Sequence, residues 1–155
     1  MIERRGDDGW VEQWVFGATG ARMIRGTAST PRKNAHGQFL NSMGCKAELP
    51  VPLFIEHRRE EPPVGEVVAL RRSWASVTFE ARLHRTAEAD AIWREITAGS
   101  LRFVSTGMCD AVRQIMSDGT PIYQNWRLRE LSLVKEPANS DCGFVVFRPP
   151  VRLAA

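Results

Sequence analysis

Apolar and polar residues alternate along most of the chain in short runs, and one stretch switches to helical spacing. Alternation at every second residue predicts strands, because successive strand side chains point to opposite faces. Such runs fall at about residues 12–16, 22–27, 51–55, 65–71, 76–83, 101–108, 112–116, 123–134 and 144–147. Turn-forming residues lie between them: Ser73-Trp74-Ala75 as a tight connection, Asp118-Gly119 as a turn, and Gly143 ahead of the last run. A polar loop over 29–44 carries Pro31, Asn34, Gly37 and Asn41. The helical stretch begins after Thr86, an N-cap residue type, with Glu88 and Asp90 near the positive end of the dipole. Ala89, Ile92, Trp93 and Ile96 make one apolar stripe, and Gly99 is placed to end it in a left-handed conformation.

Many short strands and one convincing helix predict a mostly-β fold. The expected architecture is an antiparallel barrel, closed or nearly closed because closure removes exposed edges, with one or a few peripheral helices. A length of 155 residues fits a single domain over residues 1–155. Hydrophobic residues make up 43% and charged residues 25%, the balance of a soluble globular chain. Behind Arg4 and Arg5 there is no apolar run to make a signal peptide, and no stretch is long enough to span a bilayer. The net charge of +3 is small and dispersed, without basic residues interleaved with aromatics, so nucleic-acid binding is not expected. Cys45, Cys109 and Cys142 are odd in number and lack a C-x-x-C pair, which points to buried free thiols in a reducing setting. Their spacing supports no zinc site, and nothing in the chain calls for a cofactor.

Three rows of alternate residues run apolar and then present a polar group. Leu53 and Ile55 lead to His57; Leu101 and Phe103 lead to Ser105, with Gly107 beyond; Trp126 and Leu128 lead to Glu130. A carboxylate on a core-facing row needs a partner, because burying it alone costs several kcal/mol. A neutral imidazole bonded to Glu130 would supply one, and its other nitrogen could accept the Ser105 proton. That is a nucleophile, base and orienting acid for acyl transfer. Gly107 would leave room for a substrate backbone. The pattern alone keeps a bland reading open: strand serines and structural histidines are common, and Glu130 has Arg127 and Arg129 beside it. His36 and His84 are expected at the surface, and Ser132 reads as a strand hydroxyl on the row of Glu130.

The surrounding residues sharpen the choice. Phe54-Ile55-Glu56-His57 followed by Pro63-Val64-Gly65 resembles the histidine block of the prohead (capsid maturation) serine proteases of tailed bacteriophages. The stretch from Gly99-Ser100-Leu101 to Ser105-Thr106-Gly107 resembles that family's "G-x-L, then S-x-G" block. Glu130-Leu131-Ser132-Leu133-Val134, followed by Pro137-Ala138, is similar to its "E-x-S-L-V-x-x-P-A" block. Ile24-Arg25-Gly26-Thr27-Ala28 resembles the opening strand, so the likeness spans a core of about 23–147. Thr106 and Val104 depart from the family, which often has Ile or Leu after the serine and Leu before it.

The resemblance implies an assemblin-like barrel, similar to the herpesvirus protease, with catalytic Ser105, His57 and Glu130. It implies a serine endopeptidase that cleaves the scaffolding segment of the major capsid protein, or a separate scaffolding protein, and itself. Such an enzyme would act in the host cytoplasm, inside the assembling procapsid, with further copies of itself as partners in a homo-oligomer and without a membrane partner. A catalytically silent relative serving as an internal capsid scaffold is the alternative.

Overall fold

The computed structural model describes residues 22–148, together with two backbone strands, β1 (Ile2–Arg5) and β2 (Val11–Trp14). Phe16, expected to close the first strand, lies outside the described residues. The remaining strands are β3 (Met23–Ser29), β4 (Phe39–Leu40), β5 (Cys45–Lys46), β6 (Val51–Ile55), β7 (Gly65–Arg72), β8 (Val77–Leu83), β9 (Phe103–Ile115), β10 (Pro121–Val134) and β11 (Phe144–Phe147). The fold is mostly β, as expected. Among the described residues no helix is long and apolar enough to cross a membrane.

The helix α1 runs Ala87–Ala98. Thr86 Oγ1 accepts from the Ala89 N–H at 3.2 Å, and Gly99 closes the last turn at φ 82°. Both caps satisfy backbone groups that a helix end leaves without partners. Ala89 and Ile96 are buried, while Ile92 and Trp93 pack partly against the core.

Strand order is β11-β3-β8-β7-β6-β10-β4, with β9 also paired to β10. The sheet is mixed where an antiparallel one was expected: β4, β5 and β6 all run parallel to β10. It does not close through a continuous ladder. Residues 142–144 narrow the gap between β9 and β3 instead. Val104 N–H donates to the Cys142 carbonyl (2.9 Å), Phe144 N–H to Arg102 (3.0 Å) and Thr27 N–H to Gly143 (3.0 Å).

The core lies on one face of this curved sheet. Strand β8 shows the period plainly, with Val77, Phe79, Ala81 and Leu83 buried and the residues between them partly exposed. Burying each of these larger side chains contributes roughly 1.5–3 kcal/mol. The buried Trp126 indole donates to the Asn41 carbonyl at 2.9 Å, which ties the 29–44 loop to β10. That loop holds β4 and a 3-10 turn at Ser42–Gly44, neither visible in its composition. Cys45 and Cys142 are buried free thiols pushed up to about 12 by desolvation, whereas Cys109 is only partly covered.

Candidate active site

The face of β10 that meets the core changes part-way along the strand. Trp126 and Leu128 belong to the core, and so do Leu131 and Leu133. The parity switches because the pairing with β9 slips between Leu128 and Glu130, where an extra residue enters β10. Glu130 and Ser132 are thereby turned to the opposite face. The expected row Trp126, Leu128, Glu130 is therefore broken by this bulge.

Strand β9 obeys the same register. Val104 pairs with Leu133 and is fully buried in the core, whereas Ser105 pairs with Ser132, and Gly107 with Glu130. Directly paired residues share a face. Ser105, Gly107, Glu130 and Ser132 therefore share a polar face. Phe103, Ser105 and Gly107 share a face as expected, but the core takes the other one, through Val104, so Ser105 does not continue a core row.

His57 also leaves its expected row. Strand β6 ends at Ile55, and the next two residues adopt left-handed conformations, Glu56 at φ 48° and His57 at φ 57°. Such conformations cost non-glycine residues roughly 1–2 kcal/mol each. Several bonds hold them. Glu56 N–H donates to the Leu133 carbonyl (3.0 Å), Lys135 N–H donates to Glu56 Oε1 (2.9 Å), and Arg58 N–H donates to Ile55 (2.9 Å). The turn carries the imidazole to Glu130, with Nδ1 and Oε1 2.5 Å apart.

Glu130 is 1% exposed, yet its carboxylate is well partnered. Oε1 meets the His57 ring, Oε2 accepts from the Ser132 hydroxyl at 2.7 Å, and the Arg59 guanidinium stands 3.8 Å from Oε1. The bond to Glu130 holds the His57 imidazole above its ordinary value of 6.5, against an opposing effect of desolvation. With Nδ1 committed to the carboxylate, Nε2 of a neutral ring is free to act as a base.

Gly107 has a different task from the one its position suggested. A Cβ there would lie 2.1 Å from Glu130 Oε1 and 2.5 Å from the carboxyl carbon. The space it vacates is filled by the buried acid and is not open to substrate. Only glycine lets Glu130 lie across β9 toward His57.

Ser105 and His57 line one cavity of about 100 Å³, the scale of a single side chain. Thr30, His36 and Asn139 contribute to its wall. Residues 30–35 are fastened there: Asn139 Nδ2 donates to Thr30 Oγ1 (2.8 Å), Thr30 Oγ1 to Asp141 Oδ2 (2.8 Å), and Ala35 N–H to the Ala138 carbonyl (2.8 Å). His36 is exposed, as expected, but also borders the cavity. The structure thus brings His57 and Glu130 into contact and sets Ser105 in the same cavity as His57. No hydrogen bond joins Ser105 to the ring among the described residues. Sequence reasoning passed over Ser132 as a plain strand hydroxyl. A serine two places from a carboxylate on a buried strand was the available signal.

No family model matches the chain. A capsid polyprotein of Pseudomonas phage PAJU2 is 27% identical, over 77% of this chain and 19% of that protein. The chain spans about a fifth of that relative's length. In structure, the chain is similar to the KSHV protease crystallised with a hexapeptide phosphonate inhibitor. The TM-score is 0.55 at 12% identity, covering 83% of this chain and 66% of the other. That likeness identifies the fold as assemblin-like.

Proposed function

We propose that this chain is a serine endopeptidase domain of phage capsid maturation, with Ser105 as nucleophile, His57 as base and Glu130 as orienting acid. The observation that carries the reading is the bond between His57 Nδ1 and the buried Glu130 carboxylate. It leaves Nε2 as the working nitrogen in a cavity that also contains Ser105. A buried carboxylate is costly unless partnered, and this one is partnered by an imidazole, the Ser132 hydroxyl and the nearby charge of Arg59. The likeness to a phage capsid polyprotein supports a capsid role, and the fold shared with the KSHV protease supports proteolysis.

In the proposed reaction, Nε2 takes the Ser105 proton as Oγ attacks a peptide carbonyl carbon. The carbonyl π electrons move onto oxygen, and the tetrahedral intermediate collapses as the C–N bond breaks. The imidazolium gives its proton to the departing amine. Water then attacks the acyl-enzyme, and His57 returns the proton to Ser105. Glu130 fixes the tautomer and stabilises the charged ring. The substrates are a capsid protein's scaffolding segment or a separate scaffold, and the chain itself. The Ser105–His57 hydrogen bond forms when substrate closes the site, since such bonds commonly tighten only in the complex.

The rival reading, a silent scaffold, draws on the lack, among the described residues, of a hydrogen bond from the Ser105 hydroxyl to His57. A fluorophosphonate probe separates the two. The proposal expects covalent labelling of the purified chain that disappears in Ser105→Ala, and a shorter capsid protein on co-expression with the wild type only. An unlabelled chain with an intact capsid protein in both cases would leave the silent scaffold standing.

A further inference from the structure

We infer that Ser132 is a positioning residue, a hydroxyl bridge that fixes the base and the acid of the site relative to one another. The inference rests on the catalytic reading above and adds a fourth side chain to it. Ser132 Oγ accepts from the His57 backbone N–H at 3.1 Å and donates to Glu130 Oε2 at 2.7 Å. One fully buried hydroxyl therefore holds both members of the imidazole–carboxylate pair, each through an atom the pair does not itself use.

The geometry requires such a bridge. His57 sits outside the strand, half-exposed, in a left-handed conformation that no glycine or asparagine relieves. An imidazole on a strained exposed turn would sample several positions unless its backbone were anchored. Glu56 is anchored by two bonds of its own, through its N–H and its side chain, but neither reaches the His57 N–H. Among the described residues, Ser132 is the hydrogen-bond partner of that group. The hydrogen bond its hydroxyl donates to Oε2 also fixes the carboxylate plane, so that Oε1 faces Nδ1. Ser132 lies beside Ser105 in the ladder, so the nucleophile's strand registers the bridge as well. Ser132 touches neither substrate nor the reacting atoms and acts through His57 and Glu130.

The test uses Ser132→Ala in the full chain, followed in two ways. The rate of fluorophosphonate acylation should fall about 10- to 100-fold, the scale of losing a hydrogen bond to a charged group. With a peptide substrate the loss should appear in kcat and leave KM near the wild-type value. The low-field proton resonance of His57 Nδ1–H, assigned by its absence in His57→Gln, should move upfield or broaden by exchange in Ser132→Ala. An acylation rate and a resonance both equal to wild type would overturn the inference. A lowered melting temperature with unchanged kcat would likewise make Ser132 a packing residue only. Should Ser132→Ala not fold, Ser132→Cys keeps the volume with a poor donor and is read in the same assays with the same expectations. Failure of both to fold would overturn the positioning role. The resonance does not depend on turnover. If Ser105→Ala labelled as well as wild type, the catalytic reading would fall, while an altered resonance in Ser132→Ala would still uphold the bridge.

Discussion

The two faces of one short stretch of β10 do different work. Leu131 and Leu133 point into the core, fully buried, against Leu53 and Val104. Alternating with them on the other face stand Glu130 and Ser132, equally inaccessible but wholly polar. Burial alone does not distinguish the faces; partners do. The apolar side is satisfied by area removed from water, and the polar side by discrete bonds to His57 and between Ser132 and Glu130. One inserted residue at the bulge makes this possible. Without it, Glu130 would follow Trp126 and Leu128 into the core, where no imidazole could meet it.

If the faces are separable, changes on each should have separable effects. The largest is expected at Glu130→Gln, which keeps volume but presents an amide to the imidazole. If Glu130 orients His57 as proposed, kcat should fall on the order of 10⁴-fold, the general behaviour of Ser-His-acid sites. Because the substitution removes a buried charge instead of exposing one, the melting temperature should change little. Single-turnover acylation alongside thermal unfolding checks both halves. An activity loss matched by unfolding would show that the polar face is structural.

Leu133→Ala is the converse. Truncating a fully buried leucine should cost about 2–5 kcal/mol in a urea titration. Its backbone carbonyl, which anchors Glu56, is retained. Acylation per folded molecule should therefore stay within a few-fold of wild type. A loss of 100-fold in folded protein would break the comparison and make the strand one mechanical unit.

Much of this molecule was legible one element at a time. The helix was read because its signals are local: Thr86 and Gly99 bond within a turn of themselves. Strands β6, β8 and β11 followed from alternation with little error at their ends. Strand β9 was read as two pieces, because Asp110 and its neighbours break the period. The chain instead passes through Asp110 at φ 50° and continues pairing. The parallel pairings of β4, β5 and β6 depend on partners some 80 residues away and leave no local period.

The contact between Glu130 and His57 was legible in the sequence more than the arrangement that produces it. The idea that a buried Glu130 needs an imidazole follows from desolvation alone, and the two groups are in contact. The face was misread, because a period-2 argument assumes an unbroken ladder. Neither the bulge before Glu130 nor the left-handed pair at Glu56 and His57 carries a glycine, asparagine or proline to announce it. Gly107 was noticed for its missing side chain, but what fills the gap comes from the paired strand.

The smallest effect concerns pH, and it sharpens the contrast because only the polar face titrates. The bond to Glu130 raises the His57 imidazole above 6.5. In the proposed reaction His57 must be neutral to act as base, so kcat/KM should rise with pH through a midpoint above 6.5, not at it. The same shift has a consequence for stability. A group that binds its proton more tightly when folded favours the folded state while protonated. That contribution is full below 6.5 and is lost as pH rises through the higher folded-state value. The difference in unfolding free energy between wild type and His57→Gln should therefore shrink as pH climbs from 6.5, while the penalty of Leu133→Ala stays flat. The ring is 40% exposed on its side chain, so solvent screening keeps the effect modest. Urea midpoints at several pH values, with the His57 Cε1–H shift titrated in parallel, give both numbers. A His57 midpoint at or below 6.5 would mean that the short contact with Glu130 does not persist in solution, and the polar face would then lack the bond on which its burial depends.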